Sequence, residues 1–164
     1  LLYHITNDAT KIKSYMEKLQ STGCYQVDEV TLKAIQETFS AGYLDDNATK
    51  KCIHDIYQQD NYVADTHTAV AWQVAQDYQK STQDKTPMVV LSTASPYKFS
   101  DSVLSALGED ISDKDEFALL DKLSTLNKDK IPQGLAQLQS LPILHNNLCA
   151  KEDMIKAVNT FLNI

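Results

Sequence analysis

Two short polar clusters carry residue types from which a site could be built. One is Asp65-Thr66-His67-Thr68, and the other is Ser92-Thr93-Ala94-Ser95-Pro96-Tyr97-Lys98. The first sets a carboxylate, an imidazole and two hydroxyls close together, groups that orient a small ligand or exchange protons with it. The second offers hydroxyls and an ammonium, with Pro96 suited to open a helix. Each cluster also has a plainer reading. Asp65-Thr66 can be a helix cap followed by a surface histidine, and the second cluster a turn into a helix with Lys98 as a solvated charge.

What lies around these clusters decides whether they meet. Pro87-Met88-Val89-Val90-Leu91-Ser92 is a continuous apolar run rich in β-branched residues, too short for a typical helix. Such a run fits a strand covered on both faces, as in a parallel sheet. Asn61-Tyr62-Val63-Ala64 reads as a short extended stretch, followed by a helix to about Lys80 with Val70, Ala71, Val74, Ala75 and Tyr78 on one face. A further helix from Pro96 carries Val103, Leu104 and Leu107 to Gly108. The pattern over 61–108 is therefore strand–helix–strand–helix. Both polar clusters would fall at the carboxyl ends of adjacent parallel strands, where open α/β sheets bind ligands.

The flanks read as helical. Ile12, Tyr15, Met16 and Leu19 mark one helical face over 8–21, with Asn7 or Asp8 as cap and Gly23 as stop. Asp28 caps a second helix, with Val27 and Leu32 at staple positions and Leu32, Ile35 and Phe39 on its buried face. A third runs from about Asn47 to Tyr57 and buries Cys52, Ile53, Ile56 and Tyr57. Beyond 108, Phe117, Leu119, Leu120 and Leu123 mark one helix, and Met154, Ile155, Val158, Phe161 and Leu162 the last. Asp110, Asp113, Asp115 and Glu116 read as a solvated turn. The expected fold class is α/β, mostly helical with a short parallel sheet.

Composition narrows the function. All fifteen basic residues are lysine and the net charge is −7. That disfavours nucleic acid, which is bound through basic stripes with arginine. No apolar run approaches the ~20 residues of a membrane span. Cys24, Cys52 and Cys149 are odd in number and far apart, so they read as reduced, small apolar residues of a cytoplasmic protein. His4, His54 and His145 lie on distant segments without metal-ligand spacing, and no metal is expected. No Gly-x-Gly-x-x-Gly or Walker pattern is present. The chain opens Leu1-Leu2-Tyr3-His4, already inside a structured pattern, and reads as part of something longer.

Three blocks resemble one family. Tyr62-Val63-Ala64-Asp65-Thr66-His67-Thr68-Ala69-Val70-Ala71 is similar to the Asp-Pro-His-Thr-Ala-Val-Ala segment of threonine synthases. Leu91-Ser92-Thr93-Ala94-Ser95-Pro96-Tyr97-Lys98-Phe99 resembles their Thr-Ala-x-Pro-x-Lys-Phe segment. Ala41-Gly42-Tyr43 before Asp45-Asp46-Asn47-Ala48-Thr49 resembles a third stretch, and order and spacing agree. Thr66 departs from the usual proline, and Ser95 stands where many members carry histidine.

The resemblance implies a piece of a fold-type-II (tryptophan synthase beta-like) pyridoxal-phosphate lyase with an incomplete three-layer fold. It would comprise a helical insertion region at 1–60, the α/β part of the cofactor-binding domain at 61–108, and a C-terminal helical tail at 109–164. The whole enzyme would convert O-phospho-L-homoserine, an amino-acid phosphate, and water to L-threonine and phosphate. Pyridoxal phosphate would be the electron sink. Thr93 matches the hydroxyl that meets the pyridine nitrogen; Asp65, His67, Thr68 and Lys98 would line the site edge. The Schiff-base lysine and the glycine-rich phosphate loop would lie upstream, in an N-terminal part of the same protein, so the chain alone is expected to be inactive. The alternatives are another lyase of this fold, threonine dehydratase-like, or a non-catalytic helical interaction module.

Overall fold

The computed structural model describes residues 1–112 and 115–164. The chain divides into two compact units, Leu1–Asp113 and Lys114–Ile164.

In the first unit, five aspartate- or glycine-marked boundaries set the helices. α1 spans Leu2–Thr6 and ends on Asn7 in the left-handed region. α2, Ala9–Thr22, starts at Asp8, whose carboxylate accepts from Lys11 N, and ends on Gly23 at φ 77°. α3, Glu29–Gln36, starts at Asp28, and α4, Asp46–Asp60, at Asp45. α5, Thr66–Thr82, starts at Asp65. Each of these carboxylates satisfies backbone N–H groups that a first helical turn leaves without partners. A 3₁₀ turn at Pro96–Phe99 then leads into α6, Ser100–Ala106.

The core of this unit lies where α4 packs against α5 and α6. Ile53, Ala69, Val103 and Leu104 are fully buried there, with Cys52, Ile56 and Tyr97 close to it. Ala69 matters by being small: the Cys52 thiol reaches its carbonyl at 3.3 Å, which requires α4 and α5 to approach closely. Burial also pushes the Cys52 thiol above its ordinary range, so it stays a protonated apolar group.

The second unit holds α7, Glu116–Leu126, the short α8, Gln133–Ala136, and α9, Met154–Leu162. Leu119, Leu120 and Leu123 of α7 are buried. Asp115, read from sequence as part of a charged turn, caps α7 by accepting from Ala118 N at 2.9 Å. Asp113 of the same run lies outside the described residues.

The expected parallel sheet is not formed. Among the described residues there is no strand: 61–64 and 87–92 are extended segments with no ladder. A strand exists only through hydrogen bonds to a neighbour, and neither β-branched content nor an apolar run supplies one. Val63 and Ala64 are buried, but Val89 is 85% exposed and Leu91 70%, so the face of the second run that carries them is uncovered, while Val90 on the other face is half-buried. The helical faces also need correction. Leu32 and Phe39, expected in a core, are exposed, as are Met154, Ile155, Val158, Phe161 and Leu162 of α9. Cys24 and Cys149 are exposed rather than apolar filling, and all three cysteines are free.

Candidate functional site

The turn between α4 and α5 places the first cluster. Asn61 closes α4 at φ 52°, a conformation asparagine tolerates better than most residues. The chain then runs extended through Tyr62, Val63 and Ala64 and reaches Asp65, which is 1% exposed. Its Oδ1 accepts from His67 N at 2.9 Å and Thr68 N at 3.4 Å, and its Oδ2 from the Thr68 hydroxyl. A buried carboxylate persists only when several donors converge on it, and here they do.

The second cluster meets the first through hydroxyls. Thr68 Oγ1 and Ser92 Oγ are 3.2 Å apart, and Ser92 Oγ and the Tyr62 hydroxyl 3.3 Å apart. The Thr68 hydroxyl donates toward the Asp65 carboxylate and has Ser92 Oγ within reach as a second acceptor, so Tyr62, Ser92, Thr68 and Asp65 form one polar row. Beside it is a cavity of about 280 Å³ lined by Ile56, Asp60, Tyr62, Thr68, Trp72, Val90 and Ser92.

On the other side of Asp65, His67 Nδ1 lies 3.3 Å from Asp65 Oδ1 while its side chain stays 60% exposed. The imidazole packs on Phe99, ring centroids 5.2 Å apart at 45°. Lys98 Nζ sits 5.4 Å from the centroid of the same Phe99 ring, so an imidazole and an ammonium both approach one aromatic ring. The 3₁₀ turn that presents Lys98 and Phe99 is started by Ser95, whose hydroxyl accepts from Tyr97 N at 3.3 Å.

The structure thus brings together Asp65, His67, Thr68 and Lys98 around one stretch of surface. Thr93 follows Ser92 directly and is exposed. His4, His54 and His145 take no part. Sequence reasoning did not single out Tyr62, Trp72 or Phe99 as site residues. Trp72 had a signal: it stands one helical turn after Thr68, on the same face of α5. No group of metal-ligating side chains occurs among the described residues.

Residues 68–158 match the family described as threonine synthase, C-terminal, more than half of the chain. The chain belongs to that family. Among its relatives is threonine synthase-like 1 of Macaca fascicularis, 32% identical over 144 residues, which cover 86% of this chain and 17% of that protein. Another is threonine synthase of Saccharomyces cerevisiae, 30% identical over 139 residues, covering 79% of this chain and 24% of the yeast enzyme. The crystal structure of PLP-bound threonine synthase from Brucella melitensis superposes with a TM-score of 0.66 at 27% identity, over 98% of this chain and 30% of that one. The chain therefore spans less than a third of the length of each. No helix among the described residues is long and apolar enough to cross a membrane.

Proposed function

We propose that this chain forms one edge of the active site of a threonine synthase, in a protein whose remaining parts complete it. The reaction is the conversion of O-phospho-L-homoserine and water to L-threonine and phosphate with pyridoxal phosphate. The observation that carries the reading is the meeting of the two family-like segments through Thr68 and Ser92, within a chain of this family. In this reading Thr93 gives its hydroxyl to the pyridine nitrogen, and Asp65, His67, Thr68 and Lys98 line the edge that faces the anionic substrate. A cytoplasmic location belongs to the same reading; exposed free thiols such as those of Cys24 and Cys149 suit a reducing compartment.

The residues present do not make a complete site for the cofactor. An imine needs an amine whose proton is easily lost, yet Lys11 is shifted the other way by its bond to Asp28, and Lys98 is exposed on Phe99. A phosphate cradle needs consecutive free N–H groups. Gly23 and Gly108 sit in left-handed turns next to helix ends, and Gly42 packs on Val74. Only the ring-nitrogen contact finds a matching group here, so no catalytic step is assigned to this chain.

The test is threonine and phosphate release from O-phospho-L-homoserine by the full-length protein carrying this chain. Equal amounts of both products are expected, falling several-fold for Thr93→Val, the loss of one hydrogen bond of about 0.5–1.5 kcal/mol. Absence of threonine from cofactor-loaded protein overturns the reading.

A further inference from the structure

We propose that Asp65 is a positioning residue for His67: it holds the imidazole in the Nδ1–H tautomer, so that Nε2 is the nitrogen that meets a bound molecule. The value of this for catalysis rests on the reading that this edge belongs to the threonine synthase site. The arrangement itself does not.

The argument starts from what surrounds Nδ1. Asp65 Oδ1 lies 3.3 Å away and the Thr66 hydroxyl 3.4 Å away. The hydroxyl is indifferent, since it can donate to a bare nitrogen or accept from a protonated one. The carboxylate is not. Its side chain is wholly buried, and when ionised it offers only lone pairs. At 3.3 Å the anion attracts a protonated Nδ1 and repels the lone pair of a bare one, a charge effect rather than an aligned hydrogen bond. Contacts to an ionised group outweigh neutral ones by roughly twofold, so the carboxylate decides the tautomer and the hydroxyl follows.

Asp65 is itself unable to turn away. His67 N, Thr68 N and the Thr68 hydroxyl fix both of its oxygens. Phe99 packs against the imidazole. The ring therefore has a buried anion at Nδ1 and an aromatic neighbour, with more than half of its side chain open.

The proton accounting is simple. In the neutral ring Nδ1 keeps its proton and Nε2 holds a lone pair. A proton taken up at Nε2 leaves a bound hydroxyl or ammonium one charge more negative. It creates an imidazolium whose positive charge faces Asp65. No other group need change state.

The tautomer is read directly from imidazole nitrogen resonances of the ¹⁵N-labelled chain. The measurement is made at about pH 9, well above the ordinary imidazole value of about 6.5. His67→Gln identifies the signals that belong to residue 67. The expected spectrum shows a protonated Nδ1 and a bare Nε2. Asp65→Ser keeps a capping oxygen on the helix but withdraws the anion from Nδ1, and the ring should revert toward the Nε2–H form. Asp65→Asn keeps an oxygen in the same place without the charge, and in a folded protein should shift the ring part-way toward the Nε2–H form. An Nε2–H tautomer in the unaltered chain overturns the proposal, as does an unchanged tautomer in folded Asp65→Ser. If the serine variant does not fold, the unaltered chain and the asparagine variant still decide. Threonine formation by the full-length protein is a separate measurement, so either idea can fail while the other stands.

Discussion

The hydroxyls of Thr68 and Ser92 stand 3.2 Å apart across 24 residues of sequence, and they tie the start of α5 to an otherwise exposed extended segment. The two ends of this contact differ in burial. Thr68 is 5% exposed and leans on a carboxylate, while Ser92 is exposed. Thr68→Val keeps the side-chain shape but leaves Asp65 Oδ2 without its hydroxyl donor. A buried acceptor stripped of a partner costs about 1–3 kcal/mol. Ser92→Ala removes only the outer link and should cost less than about 1 kcal/mol. Urea unfolding of both variants checks the order, and equal losses would show that the carboxylate does not depend on Thr68.

A second dependence is steric. A Cβ on Gly42 would stand 2.9 Å from Val74 Cγ1 and 3.0 Å from Cγ2, so the loop before α4 touches α5 only because residue 42 has no side chain. Gly42→Ala should destabilise by about 1–3 kcal/mol, the usual cost of overpacking. Trimming the partner should relieve it. In the double variant Gly42→Ala, Val74→Ala the losses should fall short of additive. Additive losses would mean the glycine serves the backbone rather than the contact.

The acid limb of stability should report on Asp28. Its carboxyl is held well below the ordinary range, first by its bond with the Lys11 ammonium and then by the Thr31 backbone N–H. A carboxyl depressed in the folded state stabilises at pH values above its unfolded value, about 3.9, and the contribution is lost as pH falls toward the folded value. Asp84, lowered by the Thr86 hydroxyl and N–H, adds to the same limb. Asp28→Asn keeps a good helix cap without the charge. Its melting temperature should therefore change less between pH 5 and pH 2 than that of the unaltered chain, measured in ~0.15 M salt to hold screening fixed. Parallel curves would show that the pair with Lys11 is immaterial to folding.

These dependences also show what could be read from residues alone. Asp8, Asp28 and Asp65 announced helix starts, because a capping carboxylate acts on donors two or three residues away and needs nothing distant. The 87–91 run misled for the opposite reason. Pairing is a property of two segments, and an apolar β-branched stretch carries no record of its partner. Phe39 and Phe161 are similar cases: their spacing was helical, yet burial depends on what lies opposite. The site clusters were placed near one another on the strength of a sheet that is absent. They meet all the same, through Thr68 and Ser92, because α5 begins where the extended segment passes.

The last prediction concerns the cofactor. The chain by itself should show no saturable imine with pyridoxal phosphate near stoichiometric concentration. Covalent capture needs an amine that sheds its proton readily, and such an amine is made by desolvation or by neighbouring cations. Lys98 is not desolvated: it is exposed, with its Nζ over the Phe99 ring. No lysine of the chain stands in a Phe-Lys-Asp triplet of the kind threonine synthases use. Among the described residues no glycine-rich turn gathers N–H groups for the phosphate. What remains is Thr93, one hydroxyl worth about 0.5–1.5 kcal/mol, or roughly tenfold in affinity at most. A lone contact of that size does not hold a small anion at micromolar concentration. An absorbance titration of the purified chain checks this. Slow, unsaturated growth of the imine band, spread over many lysines and unchanged in Lys98→Ala, is the expected result. A stoichiometric band abolished by Lys98→Ala would show that this chain carries its own imine-forming lysine, and that Lys98, not a residue elsewhere, anchors the cofactor.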